Sequence, residues 1–204
     1  MNKEDLLRDI GNGVREFTDK VLEDFSLEDI KCERLMFENC TFRNMKLVCN
    51  RIDWMECEEC SIIDSEISGN LQEILLVFSN TEFRKCRIHD LNMDGFTYQS
   101  EIIDCRFEDC IFERLNIHAD LAFLGGEMNR CTGKNLECFM HEVFHMLFTE
   151  DKFEDVSINA AVMKNKFNRV EIQNLKHIDM GEEPVWKENK FEDCVINGEV
   201  RDEE

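Results

Sequence analysis

Apolar side chains recur at every fifth position over most of this 204-residue chain. An α-helix repeats a buried face about every 3.6 residues and a β-strand about every 2 residues, so a period of five indicates neither element alone. The first unbroken run of apolar positions is Cys32, Phe37, Phe42, Leu47, Ile52, Cys57, Ile62 and Ile67. This run predicts short five-residue units that each bury one side chain and stack on their neighbours.

The five-residue spacing resumes after a break and continues almost to the C-terminus. One residue is missing before Ile102, one is extra before Phe123, and one is missing before Phe167, while Gly133 and His177 fit the apolar pattern poorly. The positions in this second part are Phe78, Phe83, Ile88, Met93, Tyr98, Ile102, Phe107, Phe112, Ile117, Phe123, Met128, Gly133, Cys138, Val143, Phe148, Phe153, Ile158, Met163, Phe167, Ile172, His177, Phe191 and Ile196. The persistence of the spacing predicts a single stacked domain.

A second stripe of mostly small or thiol side chains lies two residues before the apolar centres. Ten of the eleven cysteines lie on one of the two stripes, and Cys49 is the exception. Free cysteine packs as a small hydrophobe, so these thiols are predicted to fill the interior. An odd number of thiols and an N-terminus without a recognisable secretion signal indicate a reducing, cytoplasmic location rather than a disulfide framework.

Three segments carry a resemblance to a known family: FENCTFRN (Phe37 to Asn44), CRFEDCIFERL (Cys105 to Leu115) and FEDCVING (Phe191 to Gly198). They resemble the pentapeptide-repeat family, whose motif is a small residue, a polar residue, Leu or Phe, and two polar residues. The resemblance implies an all-β fold, a right-handed quadrilateral β-helix in which four units close one coil. With coils about 4.8 Å apart, some eight coils make a rod about 40 Å long.

Both ends of the repeat are expected to differ from its middle. Residues 1–29 form a predicted N-terminal α-helical cap, with one or two amphipathic helices over residues 3 to 25. The apolar residues at helical spacing are Leu7, Ile10, Val14, Phe17, Val21 and Leu22. The repeat domain spans 30–198, with irregular, loop-like segments near 68–77 and 178–190, and the acidic tail 199–204 is predicted to be disordered.

The net charge of −21, from 24 basic and 45 acidic residues, limits the possible partners. It disfavours direct nucleic-acid binding, which needs clustered Lys and Arg, and it favours a protein partner with a basic surface. The charge can also serve solubility alone. No apolar run is long enough for a transmembrane helix, so no membrane contact is expected. The acidic positions expected to face outward are Glu56, Glu58, Glu59, Asp64, Glu66, Glu108, Asp109, Glu113, Glu154 and Asp155.

Two short motifs can indicate either a metal-binding or catalytic site or ordinary packing in the repeat. His141, Glu142 and His145 belong to an HExxH sequence, which on a helix would hold zinc and supply a general base for a hydrolase. Here Val143 continues the apolar row, so His141 is expected to point inward, His145 to lie at a corner, and the two side chains to diverge. Cys57 and Cys60 form a lone CxxC that is predicted to be core. We therefore expect no metal, cofactor or catalytic residue.

The sequence leaves two binding functions open. The first is a non-enzymatic scaffold that acts through protein–protein interaction on an acidic, rod-shaped surface, as a monomer or homodimer. The second follows from the resemblance: some pentapeptide-repeat proteins imitate DNA and protect gyrase, a type II topoisomerase, from quinolones. Those members dimerise through a C-terminal helix, whereas this chain has only NGEVRDEE after Ile196. No specific binding residue can be assigned from the sequence.

Overall fold

The computed structural model describes residues 1–28, 30–48, 51–72, 75–177 and 186–203. Within these ranges one helix, α1 (Lys3–Gly11), precedes a single sheet of 23 strands. The strands are β1 Glu16–Thr18, β2 Val21–Glu23, β3 Leu35–Glu38, β4 Thr41–Arg43, β5 Lys46–Val48, β6 Trp54–Glu58, β7 Ser61–Ile63, β8 Glu66–Gln72, β9 Leu75–Ser79, β10 Glu82–Arg84, β11 Arg87–Ile103, β12 Arg106–Glu108, β13 Ile111–Leu124, β14 Glu127–Asn129, β15 Thr132–Phe144, β16 Leu147–Thr149, β17 Lys152–Met163, β18 Lys166–Asn168, β19 Glu171–Gln173, β20 Lys176–His177, β21 Trp186–Lys187, β22 Lys190–Ile196 and β23 Glu199–Glu203. Within the described residues no helix has the length and hydropathy needed to cross a membrane.

The strands form a parallel β-solenoid of about eight coils, which confirms the predicted all-β fold. Each coil has four faces, and each face stacks its centre on the centre of the coil before it. Nearly all of these centres are apolar, with Gly133 and His177 as exceptions. Face 1 begins with Phe17 on Phe37 and Cys57, and face 2 begins with Leu22 on Phe42 and Ile62. Face 3 includes Leu47 on Ile67, and face 4 includes Leu71 on Met93. Successive coils therefore bury the same row of positions.

The corners that follow faces 1, 2 and 3 share a tight backbone turn. The residue two places after the apolar centre has a positive φ there, as in Asp19 at 56°, Asp24 at 64° and Asp90 at 49°. Asn and Asp tolerate this left-handed conformation better than most residues, and they occupy many of the corners. Side-chain ladders join the corners of adjacent coils; for example, Asn39 Nδ2 donates to Asp19 Oδ1 at 2.6 Å.

The fourth corner, between face 4 and face 1, absorbs most of the variation in coil length. Leu71 and Phe78 are successive centres separated by seven residues, and Ile158 and Val162 by four. The strand register shifts at this corner in three consecutive coils, between Gly95 and Ser100, His118 and Ala122, and Phe139 and Glu142. We call this row the variable corner.

Two predicted centres are wrong because insertions and deletions concentrate at the variable corner. Ile102 pairs directly with Phe78, so Tyr98 belongs to a widened corner rather than to a face. Val162 pairs with Val143 and with Trp186, which makes Val162 the face-1 centre in place of Met163. The missing residue therefore precedes Val162, one unit earlier than the sequence predicts.

The predicted helical cap is too long. Helix α1 ends at Gly11, and only Leu6 and Ile10 of its apolar residues are buried. Phe17 and Leu22 are centres of the first coil, so the strands begin at Glu16 rather than near residue 30. A five-residue spacing between Phe17 and Leu22 also resembles part of a helical pattern, which explains the error. Val14 and Val21 are exposed, contrary to a continuous helical stripe.

The predicted irregular segments and tail also differ from the structure. Gly69 and Asn70 lie in strand β8 and Leu71 is a buried face-4 centre, so the repeat continues into the predicted loop, whereas Glu73 and Ile74 lie outside the described residues. The acidic tail forms β23, which pairs antiparallel with β22 through the Asn197–Gly198 turn. Most of the segment 178–190, including Pro184, lies outside the described residues, and Trp186–Lys187 is a strand.

Candidate interaction surface

Many basic side chains on the solenoid surface pair with acidic residues of an adjacent coil. Parallel stacking without an offset places equivalent positions of successive coils about 4.8 Å apart, within reach of a salt bridge. Arg87 meets Glu113 at 2.6 Å, and Lys134 meets Glu154 at 2.8 Å. Such exposed pairs contribute little stability individually, but they cancel charge locally. These pairs neutralise part of the acidic surface, and the net charge of −21 leaves many carboxylates without a basic partner.

One corner carries a group of exposed acidic side chains without paired cations. It lies between faces 1 and 2, and we call it the acidic ridge, formed by Asp19, Glu38, Glu58, Glu59 and Asp104. All five are exposed, and within the described part of the chain none of them makes an ion pair. Backbone hydrogen bonds align the ridge from coil to coil, as from Asp19 N to the Glu38 carbonyl at 3.1 Å. The ridge therefore lies along this corner through the first five coils, where Asn80 interrupts it, and later coils place His145 and Lys164 at the same corner.

The acidic ridge places like charges directly opposite each other. Glu38 on β3 is the register partner of Glu58 on β6, and Glu59 follows at the adjoining corner. Opposite like charges on neighbouring strands destabilise a sheet. The same chain pairs Glu23 with Arg43 at 3.2 Å one corner away, so a pairing cation is compatible with this fold. The ridge therefore keeps a repulsion that one Lys or Arg could relieve.

The ten acidic positions expected to face outward are all at least partly exposed. Seven of them have a partner: Glu56, Glu66, Glu108, Asp109, Glu113 and Glu154 with basic residues, and Asp155 with Asn174. Hydrogen bonds from Arg130 and Arg87 lower the pKa of the Asp109 and Glu113 carboxyls. Glu58, Glu59 and Asp64 keep unpaired charge within the described residues.

Sequence reasoning missed three members of the ridge: Asp19, Glu38 and Asp104. The predicted helical cap covers Asp19, and nothing in the sequence separates Glu38 and Asp104 from the many other acids. These residues can be identified by their sequence position, because ridge residues lie one or two places after a face-1 centre. That rule requires the face of each centre to be known, which in turn requires the extra and missing residues to be assigned to the right corner.

The HExxH residues diverge, but not entirely as predicted. His145 lies at a corner with φ of 57° and stacks on Phe144. His141 is exposed, contrary to the prediction that it points inward, and its Nδ1 lies 3.3 Å from Asp120 Oδ1. The register shift after Phe139 turns His141 outward at the variable corner. Within the described residues no group of His, Cys, Asp or Glu is arranged to hold a metal ion.

The two interior stripes contain the cysteines, as predicted. Ten of them are buried free thiols, and Cys49 lies outside the described residues. Cys57 and Cys60 are both in the core, where the Cys60 thiol donates to the Phe37 carbonyl at 3.4 Å. Burial raises the pKa of the Cys105 and Cys138 thiols to about 12, so neither forms a thiolate near neutral pH.

One buried carboxyl has no counterpart in the sequence predictions. Asp151 occupies a small-residue position two places before Phe153 and is 0% exposed. It accepts hydrogen bonds from Cys131 N at 2.7 Å and Thr149 N at 3.0 Å. Burial nevertheless raises the pKa of its carboxyl to about 7, because desolvation disfavours the ionised form more than the two amides favour it. Asn165, in an equivalent place before Phe167, is also fully buried.

No protein-family model and no curated protein matches the sequence. Several solved structures are similar to this chain in fold. QnrB1, described as a plasmid-mediated fluoroquinolone resistance protein, matches in two trypsin-treated variants. The first variant is 11% identical, covers 86% of this chain and 91% of its own, and has a TM-score of 0.33. The second variant is 9% identical, covers 87% of this chain and 91% of its own, and has a TM-score of 0.39.

HetL from the cyanobacterium Nostoc sp. strain PCC 7120 is described as a pentapeptide-repeat protein involved in heterocyst differentiation regulation. It is 10% identical, covers 98% of this chain and 100% of its own, and has a TM-score of 0.33. All these TM-scores lie below 0.5, so the assignment of this chain depends on its own geometry. The five-residue repeat in the sequence and the four-faced coil that it builds give this chain the fold that is typical of pentapeptide-repeat proteins.

Proposed function

We propose that this protein is a non-enzymatic, cytoplasmic scaffold that binds a basic protein surface through the acidic ridge. The observation that carries the proposal is the unrelieved repulsion between Glu38 and Glu58, which are register partners on adjacent strands. A fold selected for stability alone gains by adding a cation there, as it does at the Glu23–Arg43 pair. A partner that supplies Lys or Arg side chains would remove the repulsion on binding and gain both affinity and association rate.

The charge spacing of the ridge favours a more specific version, the imitation of DNA at a topoisomerase. The ridge runs from the coil of Asp19 to the coil of Asp104, four coil spacings or about 19 Å. One strand of duplex DNA carries about one charge per 3.4 Å of axis, or roughly six over that distance. The five ridge carboxylates approach this density. This version remains the alternative, because the ridge matches one strand and not two.

The test compares two variants with the same change in net charge. Glu58→Gln/Glu59→Gln removes two unpaired ridge charges, whereas Glu113→Gln/Glu154→Gln removes two charges that have basic partners. We expect the ridge variant to lose a basic cytosolic partner that wild type and control both capture. A purified gyrase supercoiling assay with the same three proteins tests the topoisomerase version. Equal behaviour of the two variants would show that only overall charge matters.

A further inference from the structure

The C-terminal half of the solenoid encloses an elongated apolar cavity. Its volume is about 210 Å³, and every side chain that lines it is apolar. The lining extends from Ile67 and Leu76 at one end to Leu175 and Trp186 at the other. These residues are separated by about five coil spacings, or about 24 Å along the axis. The cavity therefore follows the axis of the rod through several consecutive coils.

The N-terminal coils are closed where the later coils are hollow. Phe42 and Ile62 are 0% exposed, whereas Met128 and Val143 are 8% exposed and line the cavity. Large stripe residues, including Leu35, Met45 and Met55, fill the first coils. The coil from Phe78 to Ile102 is widened by four extra residues at the variable corner. Beyond it, the lining centres Phe112, Phe148 and Ile172 keep 6–8% of their surface exposed toward the cavity.

We propose that this cavity binds a single unbranched, uncharged hydrocarbon chain. An apolar cavity of about 150 Å³ in another protein stays dry and takes up small apolar molecules, so a cavity of this size and lining can be filled in the same way. The surface that these residues present to the cavity is apolar, which disfavours a ligand recognised by hydrogen bonds. The length favours a chain over a compact ring system, and a protein of net charge −21 disfavours an anionic head group.

Leu175 and Trp186 lie at the C-terminal end of the cavity. Both side chains are only half-buried, as is Ile67 at the opposite end. We expect a chain that occupies the full length of the cavity to lie beside Trp186. The hydrocarbon would replace van der Waals contacts that the lining side chains now lack.

The two tryptophans provide an internal comparison. Trp186 lines the cavity, whereas Trp54 does not line it and instead lies under the Arg34 guanidinium at 3.9 Å. Bromine quenches tryptophan fluorescence at short range, so a brominated linear alcohol reports where it binds. We expect bromodecanol to quench the Trp54→Phe variant, which keeps Trp186, at least fivefold more than the Trp186→Phe variant. Equal quenching, or none, would overturn the proposal.

A filled cavity provides the second arm of the test. Val143→Phe adds volume to the lining and should weaken decanol binding at least tenfold in calorimetry. If Val143→Phe does not fold, Cys138→Leu makes a smaller addition to the same wall. Leu7→Ser/Val21→Ser removes exposed apolar side chains at the other end of the rod and should leave binding unchanged. Unchanged binding in a folded filled variant would contradict the proposal, as would equally strong binding of the cage alcohol adamantanol.

Discussion

The buried Asp151 carboxyl should make stability depend on pH, and Asp151→Asn should remove that dependence. The pKa of Asp151 is about 7 in the folded protein, against an ordinary value of 3.8. An acid whose pKa is raised by folding contributes most to stability when it is protonated. That contribution is complete below pH 4 or so, declines as the pH rises, and is lost above about pH 7.

The size of the effect follows from the pKa difference. A shift of about three units corresponds to about 4 kcal/mol between the two protonation states, which is an upper value for the cost of ionising Asp151. The asparagine amide cannot ionise and so avoids this cost. Asn165 shows that an amide fits such a position: its Oδ1 accepts from Met146 N at 2.8 Å, and its Nδ2 donates to the Val143 carbonyl at 2.9 Å. Asp151→Asn loses one bond from Thr149 N, so we expect a net gain of about 2 kcal/mol at pH 8.

Urea unfolding of wild type and Asp151→Asn at pH 5 and pH 8 measures this difference. Repulsion among the many surface carboxylates also changes with pH, but it changes equally in both proteins. It therefore cancels when the free energy of unfolding of wild type is subtracted from that of the variant. We expect the advantage of the variant at pH 8 to disappear at pH 5. Asn165→Asp is the reciprocal control and should be less stable than wild type at pH 8, with recovery as the pH falls. A variant that is destabilised equally at both pH values would refute the reasoning, because it would show that the two amide donors stabilise an ionised Asp151.

Four further results are expected. Gly126→Ala should cost more than about 3 kcal/mol in chemical unfolding, because φ is +89° and a Cβ would overlap the Cys105 carbonyl; a neutral result would contradict this backbone geometry. Phe107→Ala should cost about 3–5 kcal/mol, since its ring is buried and stacks on Phe83 at 4.5 Å, whereas Phe107→Leu should be milder. His141→Ala should stay within about 0.5 kcal/mol of wild type, as expected of an exposed side chain, and a larger loss would place His141 inside. A bulky thiol reagent should label the buried cysteines slowly before denaturation and quickly afterwards; fast native labelling would contradict their burial.

The face centres can be predicted from the sequence because each five-residue unit makes one apolar contact with the unit a coil away. Residues such as Phe37, Phe107 and Phe191 therefore report the fold directly, and no long-range information is needed. The five-residue pattern does not show at which corner of a coil an extra or missing residue lies. An extra residue can lie at any of four corners and leave the spacing of later centres unchanged. Only the coil-to-coil register assigns it, which is why the predicted centres at Tyr98 and Met163 are wrong.

The candidate site is less predictable than the fold. Acidic residues fill most outward positions, and the sequence does not show which of them have a basic neighbour one coil away. Glu58 and Glu113 look alike in sequence, but only Glu113 has an arginine in the neighbouring coil. Counting from Val143 places His141 inside, and the register shift at the variable corner reverses it. The sequence gives no sign of the buried Asp151, because a carboxylate is rarely buried without a cation.

The variable corner makes the rod unusually tolerant of insertions along one line. In the coil from Phe78 to Ile102 this corner accepts four residues beyond the usual length, while faces 2 and 3 keep their five-residue spacing through Phe83 and Ile88. An added segment there leaves the stacked centres and the other three corners in place. Evolution, or a protein engineer, can therefore display new loops one above another on this corner, at intervals of about 4.8 Å, without redesigning the core.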